Sequence, residues 1–258
     1  MGPIARVIPG SHYDSLAKYE TFYWWHRARL NWAEFVIRKH FANPSKLNVL
    51  DYGCGTGGFL HELNQRLRFK AYAGIDTSEQ AIYHAKKYGE HYHICDNHSA
   101  RFLDGRDLIL LMDVLEHIED DEFFLRRLLE NAATGAKVLI TVPAIQCFYS
   151  EWDKVLGHYR RYTETIITKT VEAGAGKIEW GRYCFSFIIP GLLFRKLFKR
   201  SRYDADFCEF PPVHRFTNSL LNALSKVEIS AAQYFKIPVG STFMCLIGKA
   251  QLSYGDVI

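Results

Sequence analysis

The sequence predicts an α/β fold: a mostly parallel sheet with helices on both faces. Two observations predict it. Short apolar runs alternate with helical patterns from residue 47 to residue 142, the pattern of strand–helix–strand units. The first of these runs also opens directly into a cluster of glycines, as strands do where a sheet meets a ligand. At 258 residues, 48% apolar and 23% charged, the chain has the bulk and composition of one large globular domain or a domain with a modest cap.

The elements follow in order. Residues 13–42 read as helical, with Leu30, Trp32, Phe35, Val36 and Ile37 at helical spacing, and Asn43-Pro44-Ser45 ends the run. Leu47–Asp51 is a short buried strand. A helix follows from about Gly57 to Leu67, then a strand over Ala71–Ile75 that ends at Asp76. Ser78 caps a helix running through Lys87, with Glu79 and Gln80 in its first turn. His91–Cys95 and Asp107–Met112 are the third and fourth strands. Residues 119–132 form an amphipathic helix, and Lys137–Val142 is a fifth strand closed by Pro143. The pattern then loosens into a loop over 144–162, a helix over 163–173, a strand over 176–183 and an amphipathic helix over 184–200. An irregular stretch over 201–216, a helix over 217–227 and a strand over 240–248 complete the chain. The expected organisation is a lid over 1–43, a core over 44–183, a helical cap insert over 184–227 and final strands over 228–258.

Charge and cysteine usage narrow the class. A net charge of +4 is too small to imply a nucleic-acid partner. The six cysteines, at 54, 95, 147, 184, 208 and 245, form no C-x-x-C pair, which favours buried thiols in a reducing compartment over disulfides or zinc. Met1–Arg6 lacks a signal-peptide core, and Arg6 stands where a myristoylation site needs Ser or Thr. The longest apolar run, Phe185–Phe194, is broken by Pro190-Gly191 and is too short to span a bilayer. The expectation is a cytoplasmic protein, with membrane contact at most peripheral.

Val49-Leu-Asp-Tyr-Gly-Cys-Gly-Thr-Gly-Gly58 lies between a strand and a helix, where bare backbone approaches a ligand and the helix offers free N–H groups. Gly53, Gly55 and Gly58 also fit G-x-G-x-x-G, the dinucleotide fingerprint, with Asp76 near the distance of a ribose-binding acid. Both readings place an adenosine here. Asp51 separates them, because a carboxylate repels a pyrophosphate and attracts an ammonium or sulfonium.

At this point the sequence resembles a family. Asp51-Tyr-Gly-Cys-Gly-Thr-Gly57 resembles the first motif, D-x-G-x-G-x-G, of class I S-adenosylmethionine-dependent methyltransferases. Asp107-Leu-Ile-Leu-Leu-Met-Asp-Val-Leu-Glu-His-Ile118 resembles the family's fourth strand and E-H-[LIV] turn. The resemblance implies a Rossmann-like sheet of seven strands, the last antiparallel, and S-adenosylmethionine as cofactor. It implies that Asp51, Tyr52, Gly53, Cys54, Gly55 and Gly57 hold the methionine part. Asp76, with Thr77 beside it, would bind the ribose. Asp96, with Asn97 as a weaker neighbour, would face the adenine, and Met112 ends the fourth strand on the cofactor side.

Methyl transfer needs alignment first, and a base only where the acceptor carries a blocking proton. His117 is one candidate base; alternatively it packs against the glycine loop or hydrogen-bonds backbone. With Glu116 beside it but no third ligand in view, no metal is expected. The run Tyr149–Tyr162 follows the fifth strand on the ligand side. In it His158 is a second catalytic candidate, and Tyr159, Arg160 and Arg161 could clamp an anionic or aromatic acceptor; a solvated turn is the alternative. His91 and His93 share a strand face and read as edge packing. Tyr23, Trp24, Trp25, His26, Arg27 and Arg29 form either a lid or a buried amphipathic helix. Over 184–202, apolar residues alternate with Arg195, Lys196, Lys199, Arg200 and Arg202, which suits an anionic membrane surface or a cap over the pocket. The expected activity is methyl transfer to a hydroxyl or amine of a small or lipid-linked molecule. An NAD-dependent oxidoreductase and an RNA methyltransferase are the rivals, and no nucleic acid is expected as partner.

Overall fold

A computed structural model describes residues 10–96, 99–198 and 213–250. It begins with α1 (Gly10–Tyr19) and α2 (Trp24–His40), not with one helix over 13–42. The break has a physical cause: Glu20 is turned inward and buried, its carboxylate bound to the glycine loop, and the chain must bend to place it there. β1 (Asn48–Tyr52), α3 (Gly58–Leu67), β2 (Ala71–Asp76), α4 (Glu79–Ala85), β3 (Tyr92–Ile94) and β4 (Leu108–Met112) follow. Then come α5 (Asp121–Asn131), β5 (Lys137–Pro143), the short α6 (Glu151–Val155), α7 (Glu164–Ala173) and β6 (Gly176–Cys184). α8 (Ile189–Phe198), α9 (Arg215–Ala232) and β7 (Thr242–Lys249) complete the described chain.

The seven strands make one sheet in the order β3-β2-β1-β4-β5-β7-β6. β1 to β5 pair in parallel, whereas β7 runs antiparallel to both β5 and β6. All five residues of β4 are buried, as a central strand covered on both faces requires. Its alternate side chains serve two cores. Leu110 joins Trp32, Val36 and Ile37 of α2 and Leu60 and Leu63 of α3. Ile109 and Leu111 join Leu125, Leu128 and Leu129 of α5 with Ile167 of α7. Strand order reverses between β1 and β4, which opens a crevice beyond the carboxyl ends of these strands.

Local chemistry fixes the helix starts. The Ser78 hydroxyl accepts from the Ala81 N–H at 3.2 Å, as its sequence position predicts, and Asp120 and Thr163 cap α5 and α7 in the same way. The C-terminal part departs from expectation. Cys184 closes β6 instead of opening a helix, a tight turn spans Ser186–Ile188, and α8 begins only at Ile189. The buried Glu228 of α9 explains the delay: it accepts from the backbone N–H groups of Phe185 and Ser186 at 2.7 and 2.6 Å and anchors this turn. α9 is accordingly longer than the 217–227 expected. Positions 199–212, which carry Lys199, Arg200, Arg202 and Cys208, lie outside the described residues. The five described cysteines are free thiols, three of them buried. Among the described residues, no helix is long and apolar enough to cross a membrane.

Candidate active site

β1 delivers Asp51 and Tyr52 to the crevice, and the chain then turns through Gly53, Gly55 and Gly57 at φ of +80°, +54° and +81°. Two of these glycines are required sterically. A Cβ on Gly53 would lie 2.6 Å from a methyl of Val114, and one on Gly57 would lie 2.9 Å from the Ala85 Cβ. The backbone N–H groups of Gly53 and Cys54 are spent on the Ile75 carbonyl, at 2.8 and 3.0 Å. The Cys54 side chain is buried in the core, so only its backbone faces the loop. The Tyr52 ring leans edge-on against Phe124, and its hydroxyl accepts from the Cys95 thiol at 3.5 Å.

Three carboxylates surround this loop. Asp51 is 1% exposed, and its Oδ1 has no hydrogen-bond partner. Burial drives its carboxyl up to about 7, with Arg29 opposing and Asp76 adding to the rise. Asp76, at the end of β2, accepts from the N–H groups of Gly55 and Ser78, each at 2.9 Å, and so ties the loop to the next strand. Burial raises its carboxyl despite these backbone bonds, to which Thr77 also contributes. The third carboxylate, Glu20, gave no signal in the sequence. It accepts from the Gly58 N–H at 3.1 Å and from the Thr56 hydroxyl, so a negative charge meets the N-terminus of α3. α1, just before it, lies over the loop: Tyr13 is buried, and Leu16 is the side chain nearest to Gly55.

These residues fit S-adenosylmethionine. Asp51 presents a buried carboxylate oxygen lacking a donor, which an ammonium satisfies. The glycine backbone admits close approach, and the Asp76 oxygens retain lone pairs for hydroxyls. Met112 ends β4 beside them, 6% exposed. Asp96 is exposed after β3, and Asn97 lies outside the described residues.

Beyond β4 the backbone of Asp113 takes φ of +60°, and beyond β5 Ile145 takes +67°, left-handed conformations in non-glycine residues at the mouth of the crevice. Asp113 is held by Thr141, whose hydroxyl donates to Oδ1 at 3.0 Å, and by an ion pair with Arg29 of α2. The turn that follows carries Glu116 and His117. Glu116 is 1% exposed, both its carboxylate oxygens are without partners, and burial, then Asp113, pushes its carboxyl well up. The His117 ring lies edge-on to that of His158, centroids 4.7 Å apart, and burial followed by His158 lowers it to about 3. The fold therefore brings the two expected catalytic histidines, His117 and His158, together from loops 41 residues apart in sequence.

The residues expected to clamp the acceptor have internal partners. Arg161 grips Asp153 through Nε at 2.8 Å and Nη2 at 3.1 Å. Arg160 pairs with Asp121 at 2.8 Å and donates to the Glu119 carbonyl. Tyr159 donates its N–H to the Glu116 carbonyl at 2.7 Å. Both guanidinium groups are thus engaged with buried aspartates, whose charges need a cation beside them. The N-terminal aromatic stretch also resolves. Ala28, Leu30 and Trp32 are core residues of α2, and Trp24 and Trp25 meet Phe185 and Phe187 edge-on or tilted. His91 meets Tyr72 and Tyr92 beside the edge strand, and His93 stacks on Phe102.

A family model described as a methyltransferase domain matches residues 24–176, more than half of the chain. The chain belongs to this family, the class I S-adenosylmethionine-dependent methyltransferases, and the dinucleotide reading of the glycine loop is set aside. Among curated relatives, a norajmaline N-methyltransferase of Rauvolfia serpentina is 29% identical over 39% of this chain and 38% of its own length. A ubiquinone biosynthesis O-methyltransferase of Pelagibacter ubique is 33% identical over 36% of this chain and 40% of its own. The chain thus spans about two fifths of these relatives. The fold is shared with a plantazolicin methyltransferase crystallised with a substrate analogue and S-adenosylhomocysteine, at 18% identity, 93% and 89% coverage and TM-score 0.54. It is also shared with a chain from a complex of a methyltransferase activator and a methyltransferase of Haloferax volcanii, at 14% identity, 95% and 98% coverage and TM-score 0.57.

Proposed function

We propose that the protein transfers a methyl group to a hydroxyl, with an amine as second choice, of a small or lipid-linked molecule. When bound, S-adenosylmethionine supplies an activated methyl carbon, whose bond to sulfur breaks, leaving the electron pair on sulfur, as the bond to the acceptor forms. Asp51 and the glycine loop fix the methionine end, Asp76 the ribose, and α1 acts as the lid that excludes water. The observation that carries the hydroxyl reading is the cluster of Glu116, His117 and His158 at the crevice mouth. A hydroxyl must shed its proton as it is methylated, and this cluster stands where it can ease that loss. The O- and N-methyltransferase relatives support the same two acceptor classes.

A lipid-linked acceptor fits the basic apolar stretch over 184–202, whose described part exposes Leu193 and Phe194. The test is labelled methyl transfer against fractionated metabolite and lipid extracts, beside a calorimetric titration with S-adenosylhomocysteine and with NAD. Uptake of the first, none of the second, and label in a hydroxylated product are expected. Tight NAD binding, or label confined to RNA, would reject the reading. Salt-sensitive sedimentation with anionic vesicles tests the membrane contact.

A further inference from the structure

Glu116, His117 and His158 each present one ligand atom, and the three atoms lie within 4.8 Å of one another. All three side chains are prepared in a particular way. His158 directs Nδ1 at Asp153 Oδ1, 2.9 Å away, which fixes the proton on Nδ1 and leaves the Nε2 lone pair outward. His117 has no partner at Nδ1, while its ring makes a hydrogen bond to the backbone of Leu156. Glu116, 1% exposed, has no partner on either oxygen. A buried carboxylate without a donor is costly, and two imidazole lone pairs facing it cannot supply one. A divalent cation would satisfy the partnerless atoms of Glu116 and His117 together, with His158 as a third ligand within reach.

We propose that Glu116, His117 and His158 form a binding site for a divalent transition-metal ion of the zinc class. Two imidazoles and one carboxylate are a ligand set that zinc accepts with a position left open. The Asp153–His158 contact is the carboxylate–histidine arrangement that orients a metal-bound ring. Asp113 adds negative charge next to Glu116, and Arg29 and Arg161 balance the surplus. A zinc ion held by three protein ligands would keep a fourth position open. Resting on the methyl-transfer reading, it would take the acceptor oxygen and ease loss of its proton to solvent.

The test begins with protein stripped by chelator and titrated with zinc chloride in a calorimeter, without cofactor or acceptor. One equivalent is expected to bind, to raise the melting temperature, and to bind at least tenfold more weakly in Glu116→Gln and in His158→Ala. Asp153→Asn is expected to lose roughly 10–100-fold in zinc affinity. Cobalt chloride is the second probe: the intact protein is expected to give the visible absorption of four-coordinate Co2+, which needs no variant to fold. No stoichiometric binding, or equal affinity in Glu116→Gln and His158→Ala, would overturn the site, as would a six-coordinate cobalt spectrum. A parallel titration with S-adenosylhomocysteine separates the two readings. Zinc binding without its uptake leaves the metal site standing and removes methyl transfer, and the reverse removes only the metal site.

Discussion

Asp153 and His158 form a buried contact of 2.9 Å between Oδ1 and Nδ1, and Arg161 closes on the same carboxylate from its other side. Asp153 is fully buried, so its charge persists only because these donors surround it. Burial pushes its carboxyl up, but the hydrogen bonds from His158 and Arg161 outweigh this and hold it well below the usual range. The ionised group therefore adds stability above its unfolded value of 3.8, and that share is lost as the pH falls below it. Asp153→Asn is expected to cost about 3 kcal/mol, or roughly 6–12 °C in melting temperature for a domain of this size. Thermal melts at pH 7 and at about pH 2 check it: the difference between wild type and variant should shrink at the lower pH.

Asp51 behaves in the opposite sense. With its carboxyl raised to about 7, the folded protein holds this proton more tightly than the unfolded chain. Its contribution to stability consequently falls as the pH rises from about 4 to about 7. A bound ammonium reverses the preference by favouring the anion. S-adenosylhomocysteine should bind about tenfold more tightly at pH 8 than at pH 6, since one pKa unit corresponds to about 1.4 kcal/mol. Asp51→Asn should flatten that profile and weaken binding by roughly 10–100-fold. Calorimetry across the range would contradict this if the wild type were already flat.

Glu20 is expected to matter for stability more than its place between two helices suggests. Glu20→Ala leaves the Gly58 N–H and the Thr56 hydroxyl without an acceptor and removes the negative charge from the α3 N-terminus. A loss of about 1–2 kcal/mol is expected. Urea unfolding should show a lower midpoint with an unchanged slope, whereas a midpoint like that of the wild type would remove Glu20 from this role.

Gly53→Ala combines a φ of +80° with a 2.6 Å approach to Val114. It should cost about 1–3 kcal/mol and displace the loop enough to abolish S-adenosylhomocysteine binding. Gly105→Ala is the comparison, because Gly105 has a φ of +65° with nothing within 4 Å of the added Cβ. It should lose a similar backbone term and bind normally. Equal binding by the two variants would show that the loop tolerates a side chain.

The sequence made the sheet and the cofactor crevice legible, because both depend on short-range patterns. Apolar runs of strand length, Ser78 as a helix cap, and Asp51 followed by spaced glycines each declare themselves within a few residues. The break between α1 and α2 did not, since both helices have helical periodicity and only the distant loop at Thr56 and Gly58 demands that Glu20 turn inward. The start of α8 was likewise hidden, because Glu228 fixes the preceding turn from more than forty residues away.

Taken alone, the chain order determined the alternation of strand and helix, the position of the glycine turn and the sign of the charge that greets a ligand there. These follow from backbone sterics and hydrophobic period, which are local properties. Only the tertiary structure decided that Arg160 and Arg161 neutralise buried aspartates, and that His158 and its Asp153 stand against Glu116 and His117. Pairing of charges and ligands across a crevice depends on distance in space, which one-dimensional spacing does not encode.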